Sequence, residues 1–158
     1  MVELVNFVIQ EPQFNDSPIR CFKLPYVATE LLCIDNPHVI SSLFEDSDFK
    51  VLGQLFTFVE VPEEIQLNST LCGYFNKIIS FWLIKKPELM IDYFGNNPQH
   101  MTNLLEHIYL NSSIIDLVIR ICCIQGLPSS YQDKLQIIRC DFLSGIINKL
   151  EHYEDDTF

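Results

Sequence analysis

Residues 112–124, SSIIDLVIRICCI, are apolar around nearly the whole circumference of a helix, yet they hold one acid and one base, Asp116 and Arg120, four residues apart. A membrane span needs about 20 apolar residues and tolerates charge poorly, so this shorter, doubly charged run does not read as one. The stretch around Trp82 fails the same test, because Lys77 interrupts it and Lys85 and Lys86 close it. What remains is a helix at the centre of a stack, apolar on two or three sides, with one narrow polar stripe. Asp116 and Arg120 fit that stripe, in the acid-before-base order that favours a pair at this spacing.

The rest of the chain supplies the neighbours such a helix needs. The longest pattern runs from Ser69 to Lys86, where Leu71, Tyr74, Phe75, Ile78, Ile79, Trp82 and Leu83 recur at three- and four-residue steps, and the closing lysines suit the helix dipole. Pro87 allows the next helix, PELMIDYF, to begin, and Gly95-Asn96-Asn97 ends it. PQHMTNLLEHIYL forms another short amphipathic helix. Upstream, a short apolar opening (Leu4, Phe7, Val8, Ile9) is followed by the polar loop EPQFNDSPIR. Pro25 then marks a helix start, with Val27, Leu31, Leu32 and Ile34 predicted to face inward. Two further short helices follow, the first turning Val39, Ile40, Leu43 and Phe44 inward, the second Phe49, Val51, Leu52, Leu55, Phe56 and Phe58. A loop at QGLPSSYQD leads to a last helix or pair over KLQIIRCDFLSGIINKL, and the tail 151–158 is expected to be frayed and acidic. Asn68-Ser69-Thr70 and Asn111-Ser112-Ser113 match a glycosylation sequon, but each precedes an apolar helical run, where Asn caps a helix N-terminus.

Eight or nine helices with short links and no alternating strand pattern predict an all-α fold. Paired short helices at irregular spacing predict an α-solenoid with degenerate repeats of the HEAT or armadillo kind, in one domain over residues 1–158. That length is enough to bury roughly two-thirds of the unfolded surface without staples.

The formal net charge is −11, which works against nucleic acid or an anionic membrane as the main partner; it either keeps an apolar chain in solution or favours a protein with a basic surface. Among the six cysteines, Cys33, Cys72, Cys122 and Cys123 lie inside apolar runs, and no Cys or His stands at metal-ligand spacing, so reduced, buried thiols and no metal are expected. The first residues lack a basic region and a cleavage site, which predicts a cytoplasmic or nuclear compartment. His38, His100, His107 and His152 are scattered, there is no nucleophile elbow, P-loop or dinucleotide fingerprint, and no catalytic residue or cofactor is expected.

Four stretches, ELVNFVIQEP (3–12), FKLPYVATELL (22–32), YFNKIISFWLIKKPE (74–88) and HIYLNSSIIDLVIRI (107–121), occur in an order that resembles the SAPS domain of the regulatory subunits of protein phosphatase 6. The similarity is collinear from Met1 to about Leu150. It implies a helical scaffold that holds a serine/threonine protein phosphatase catalytic subunit and directs it to substrates. The resemblance also implies helical segments before and after the region matched, so the chain reads as a fragment or a shortened relative of a longer SAPS-type domain. Matching positions include Pro25, Glu30, Lys77, Lys85, Lys86, Asp116 and Arg120. From these, Lys77, Lys85, Lys86, Asp116 and Arg120 are the expected partner-contacting residues, with a structural ion pair as the other reading of Asp116 and Arg120. The alternative function is a helical adaptor for a different client.

Overall fold

The structure, a computed structural model, describes residues 1–45 and 49–155, the last four of these by backbone alone. The described residues are all-α with no strand: α1 (Val2–Ile9), α2 (Leu24–Leu32), α3 (Pro37–Ile40), α4 (Lys50–Phe56), α5 (Ser69–Lys85), α6 (Pro87–Asn96), α7 (Pro98–Glu106), α8 (Ser112–Cys122) and α9 (Gln132–Asp155). They pack as a solenoid-like stack. α2 lies against α5, α5 against α8 and α8 against α9, while α1 packs on α2, α4 and α5, and α6 and α7 lean on α9.

Helix starts follow local chemistry. Asn68 Oδ1 accepts from the amides of Thr70 and Leu71 at 3.0 and 3.2 Å, and Asn111 Oδ1 from that of Ser113 at 3.0 Å, so both sequon asparagines are N-caps. Asn36 does the same for α3, and Pro37, Pro87 and Pro98 each occupy a first helical position, where a missing N–H costs nothing.

Pro25 stands in the first turn of α2, as its position in the sequence suggests, and a π turn, Ile19–Lys23, runs straight into that helix, with the Leu24 amide reaching back to the Ile19 carbonyl. The wide turn gives the proline ring room where a tighter one would drive it into the carbonyl four residues back. The inward face of α2 differs from the expected one. Ala28, Thr29 and Leu32 are buried, whereas Val27, Leu31 and Ile34 face out. Thr29 can be buried because its Oγ1 donates to the Pro25 carbonyl at 2.8 Å. The last segment is one helix, one of the two readings the sequence leaves open: α9 runs through Gly145 to Asp155, and residues 156–158 lie outside the described residues. Gly145 stands where α9 crosses α7, and a Cβ there would come within 2.3 Å of Leu105 Cδ1.

The core is aromatic at its centre. Phe56 meets Phe75, Phe94 and Tyr93, with ring centroids 5.3, 5.7 and 5.2 Å apart, and Trp82 is wedged between Phe44 and Phe81 at 5.5 and 5.0 Å. All six cysteines are free thiols, but only Cys72 is fully buried; Cys33 and Cys122 are half-buried, and Cys123, expected inside, is exposed. Burial pushes the Cys72 thiol up to about 12 and the Cys33 thiol to about 11, so neither is a thiolate near neutral pH.

Candidate functional site

The polar stripe of α5 (Gly73, Asn76, Lys77, Ser80) recurs every three or four residues in an otherwise apolar helix and lines the groove between α5 and α8. There it forms a ladder. Lys77 is ion-paired and hydrogen-bonded to Glu30 of α2. One step across, Asn76 Nδ2 donates to Asp116 Oδ2 of α8 at 2.9 Å, Arg120 Nε donates to the same oxygen at 2.7 Å, and Ser80 Oγ donates to Asn76 Oδ1 at 2.8 Å. Further along α5, Lys85 stands 3.8 Å from Asp35 and leans over the Phe81 ring. α2 is thereby joined to α5 by an ion pair, and α5 to α8 by the Asn76 amide on a carboxylate that Arg120 of α8 also holds.

The hydrogen bonds from Arg120 and then Asn76 hold the Asp116 carboxyl below its ordinary range, while the Glu30 hydrogen bond raises the Lys77 ammonium above its own. Both groups therefore keep their charge near neutral pH. Exposed pairs of this kind add little to stability, so their value lies in a fixed charge pattern. The groove has a volume of about 310 Å³ and is lined by Asn76, Lys77, Ser80, Phe81, Ile84, Asp116 and Arg120 among others. A neighbouring hollow of about 330 Å³ shares Ser80, Ile84 and Arg120 and continues it toward Cys123 and Gln125. Ile84, 73% exposed, and Ile119, 55% exposed, offer apolar surface beside these charges.

Of the five residues singled out from sequence, Lys77, Asp116 and Arg120 line this groove, and Lys85 lies on the same helix nearby. Lys86 is outside the ladder. It forms the backbone joint between α5 and α6, its amide donating to the Trp82 carbonyl and its own carbonyl accepting from Met90. Asn76 and Ser80 were not singled out, although their position four apart among apolar residues was the available signal.

The histidines divide differently. His38 is exposed, and the side chain of His152 lies outside the described residues. His107 is buried and its Nε2 lies 3.0 Å from the Val61 carbonyl. His100 is buried between Tyr93, whose hydroxyl is 2.6 Å from Nδ1, and Glu60, 3.3 Å from Nε2. With the hydroxyl donating to Nδ1 and Nε2–H donating to the carboxylate, the neutral ring is satisfied on both sides. Burial lowers its pKa from 6.5 and outweighs the opposing pull of Glu60. A base with a lowered folded-state pKa contributes stability above its unfolded value and loses it as the pH falls through that value. The unfolding free energy from urea titration is therefore expected to drop between pH 7 and pH 5.5, by at most about 1.4 kcal/mol per pH unit for one proton. Equal pH slopes for the native chain and His100→Gln would refute this assignment.

Among the described residues no group of three His, Cys, Asp or Glu side chains is placed to hold a metal ion, and no helix is long and apolar enough to cross a membrane.

No protein-family model and no solved structure matches the chain. Curated proteins do. Serine/threonine-protein phosphatase 6 regulatory subunit 3 of Gallus gallus is 33% identical over 134 residues, which cover 84% of this chain and 15% of that protein. Regulatory subunit 2 of Mus musculus is 34% identical over 127 residues, 79% of this chain and 13% of that protein. Regulatory subunit 1 of Mus musculus is 28% identical over 155 residues, 98% of this chain and 18% of that protein. The chain thus spans less than a fifth of the length of these relatives. With the helical stack that the same residues build, these matches make the chain a SAPS-like relative of one segment of the phosphatase 6 regulatory subunits.

Proposed function

We propose that the chain is a non-catalytic scaffold that binds a serine/threonine protein phosphatase catalytic subunit, of the phosphatase 6 type, and directs it to substrates. The observation that carries this reading is the similarity to phosphatase 6 regulatory subunits over most of the chain. The α2–α5–α8 surface is the contact we assign to it. Its ion pairs present a pattern of both signs that a partner can match or clash with, and electrostatic matching of this sort selects partners and speeds encounter. Ile84 and Ile119 supply apolar anchors beside it.

Titration calorimetry of the folded chain against the phosphatase 6 catalytic subunit, with the phosphatase 2A catalytic subunit as control, tests the proposal. Micromolar or tighter binding to the first alone is expected. Charge reversal at Lys77, Lys85, Asp116 and Arg120 together should weaken it by about tenfold or more, and Lys86→Glu alone should change it little. Binding unaltered by the fourfold reversal removes the ladder from the interface. No binding by a chain that circular dichroism shows to be helical points to a different client.

A further inference from the structure

Helices α6, α7 and α9 line a hollow of about 380 Å³ that shares no residue with the groove between α5 and α8. Its floor is apolar: Phe94, Met101 and Ile138 are 0, 4 and 2% exposed. On α9 the wall is Lys134, Ile137 and Asp141, which recur at three- and four-residue steps. They occupy one flank of that helix, between the buried stripe of Leu135, Ile138 and Phe142 and the exposed stripe of Leu143, Ile147 and Leu150. The hollow is therefore closed by three helices packed side by side and is not part of the outer stripe of α9.

The charges around it are not equivalent. Asp92 is fully engaged, its Oδ1 accepting from Lys134 Nζ at 2.6 Å and its Oδ2 from the Tyr131 hydroxyl at 3.0 Å. Lys134, which also lies 4.9 Å over the Tyr131 ring, is neutralised by the same carboxylate. Asp141 stands two turns further along α9, about 10 Å by helical rise, and nothing pairs with it among the described residues. Asn96, the last residue of α6, is exposed at the same hollow, and its side chain likewise has no partner among the described residues. What is left unanswered is one carboxylate and one amide above an apolar floor.

We infer that this hollow takes an arginine side chain from a peptide segment of a protein partner. The methylene stem lies on Phe94, Met101 and Ile138, and the guanidinium donates to the Asp141 carboxylate and the Asn96 amide oxygen. A long side chain that is apolar up to its charged head matches the division of the hollow, and the planar fork of arginine can serve two acceptors at once. An acidic side chain would meet Asp141 and a lysine already held by Asp92. A free polyamine would leave Ile137 bare, which is 62% exposed at the rim and offers apolar contact to the neighbours of the arginine along a peptide. Because the hollow and the α5–α8 groove have no residue in common, the inference does not rest on the phosphatase reading.

Methyl NMR of the chain tests it at about 0.15 M salt, where a screening length of ~8 Å weakens the general attraction of a −11 chain for bases. The probes are the acetylated, amidated pentapeptides Gly-Leu-Arg-Leu-Gly and Gly-Leu-Gln-Leu-Gly. The arginine peptide should shift the methyls of Met101, Ile137 and Ile138 saturably, and the glutamine peptide should bind at least about tenfold more weakly. Asp141→Asn should weaken the arginine peptide by about the same factor. Asp133→Asn, on the same helix but outside the hollow, should leave it unchanged; both aspartates are exposed, so neither change disturbs the core. Four results would overturn the inference: no saturable shift at these methyls; equal binding of the two peptides; equal losses for the two aspartate variants, which would reduce the contact to net charge; or spermidine binding at these methyls as tightly as the arginine peptide, which would make the ligand a small cation.

Discussion

Trp82→Ala should lower the unfolding free energy by about 3–5 kcal/mol, among the largest effects any single substitution in this chain will have. Trp82 is fully buried in α5, against Phe44 from the segment after α3 and Phe81 from its own helix. Removing it leaves a cavity the size of an indole at the junction of α2 and α5. The ring also does polar work: its Nε1–H donates to the carbonyl of Leu32 at 3.0 Å, and Leu32 is the last residue of α2. The final carbonyls of a helix have no partner within it, so Trp82 caps α2 from across the core. Trp82→Phe separates the two contributions, since it keeps much of the packing and orphans the carbonyl, at about 1–3 kcal/mol. Urea denaturation of the three proteins decides the matter, and a loss below about 1 kcal/mol for the alanine variant would contradict the packing described.

The second large effect belongs to Phe56. Its ring lies parallel to the His100 imidazole, with centroids 5.0 Å apart and planes within 10°, and it meets Phe75, Phe94 and Tyr93 on its other sides. Phe56→Ala should cost about 3–5 kcal/mol. It should also change a titration. Burial is the chief reason the His100 pKa is lowered, and the Phe56 ring covers one face of the imidazole, so opening that face should move the pKa back up toward 6.5. The His100 ring resonances followed by NMR against pH would read this directly. Loss of stability with an unmoved histidine would mean that other groups keep the ring dry.

These two residues also mark how far the sequence could be read. Trp82 and Phe56 sit at helical spacing among apolar neighbours, and both are assigned inward from that alone. The helices α5 to α8 are legible because their ends carry their own chemistry, with Asn68 and Asn111 as caps and Pro87 and Pro98 as first residues. α2 is harder. It is apolar on two sides, so periodicity finds a stripe through Val27, Leu31 and Ile34 but not which stripe meets the core, a choice made by how α1 and α5 pack upon it. The π turn before Pro25 leaves no mark that local propensity can detect. The charged groove was half legible. Lys77, Lys85, Asp116 and Arg120 stand out as charges in apolar helices, and the Asp116 to Arg120 pair follows from spacing. That Asn76 would join α5 to α8, or that Glu30 would answer Lys77 across 47 residues, depends on the order in which helices stack.

The bond from Trp82 to Leu32 spans 50 residues, and this separation has a consequence while the chain is being made. Synthesis at roughly 5–20 residues per second puts several seconds between the emergence of α2 and that of the indole that closes it. During that interval α1 and α2 pack on each other and α4 joins them on α1, with the last carbonyl of α2 still lacking the indole. The arrival of Trp82 latches the first pair of helices onto the second, so the ribosome itself sets the order in which this stack is assembled.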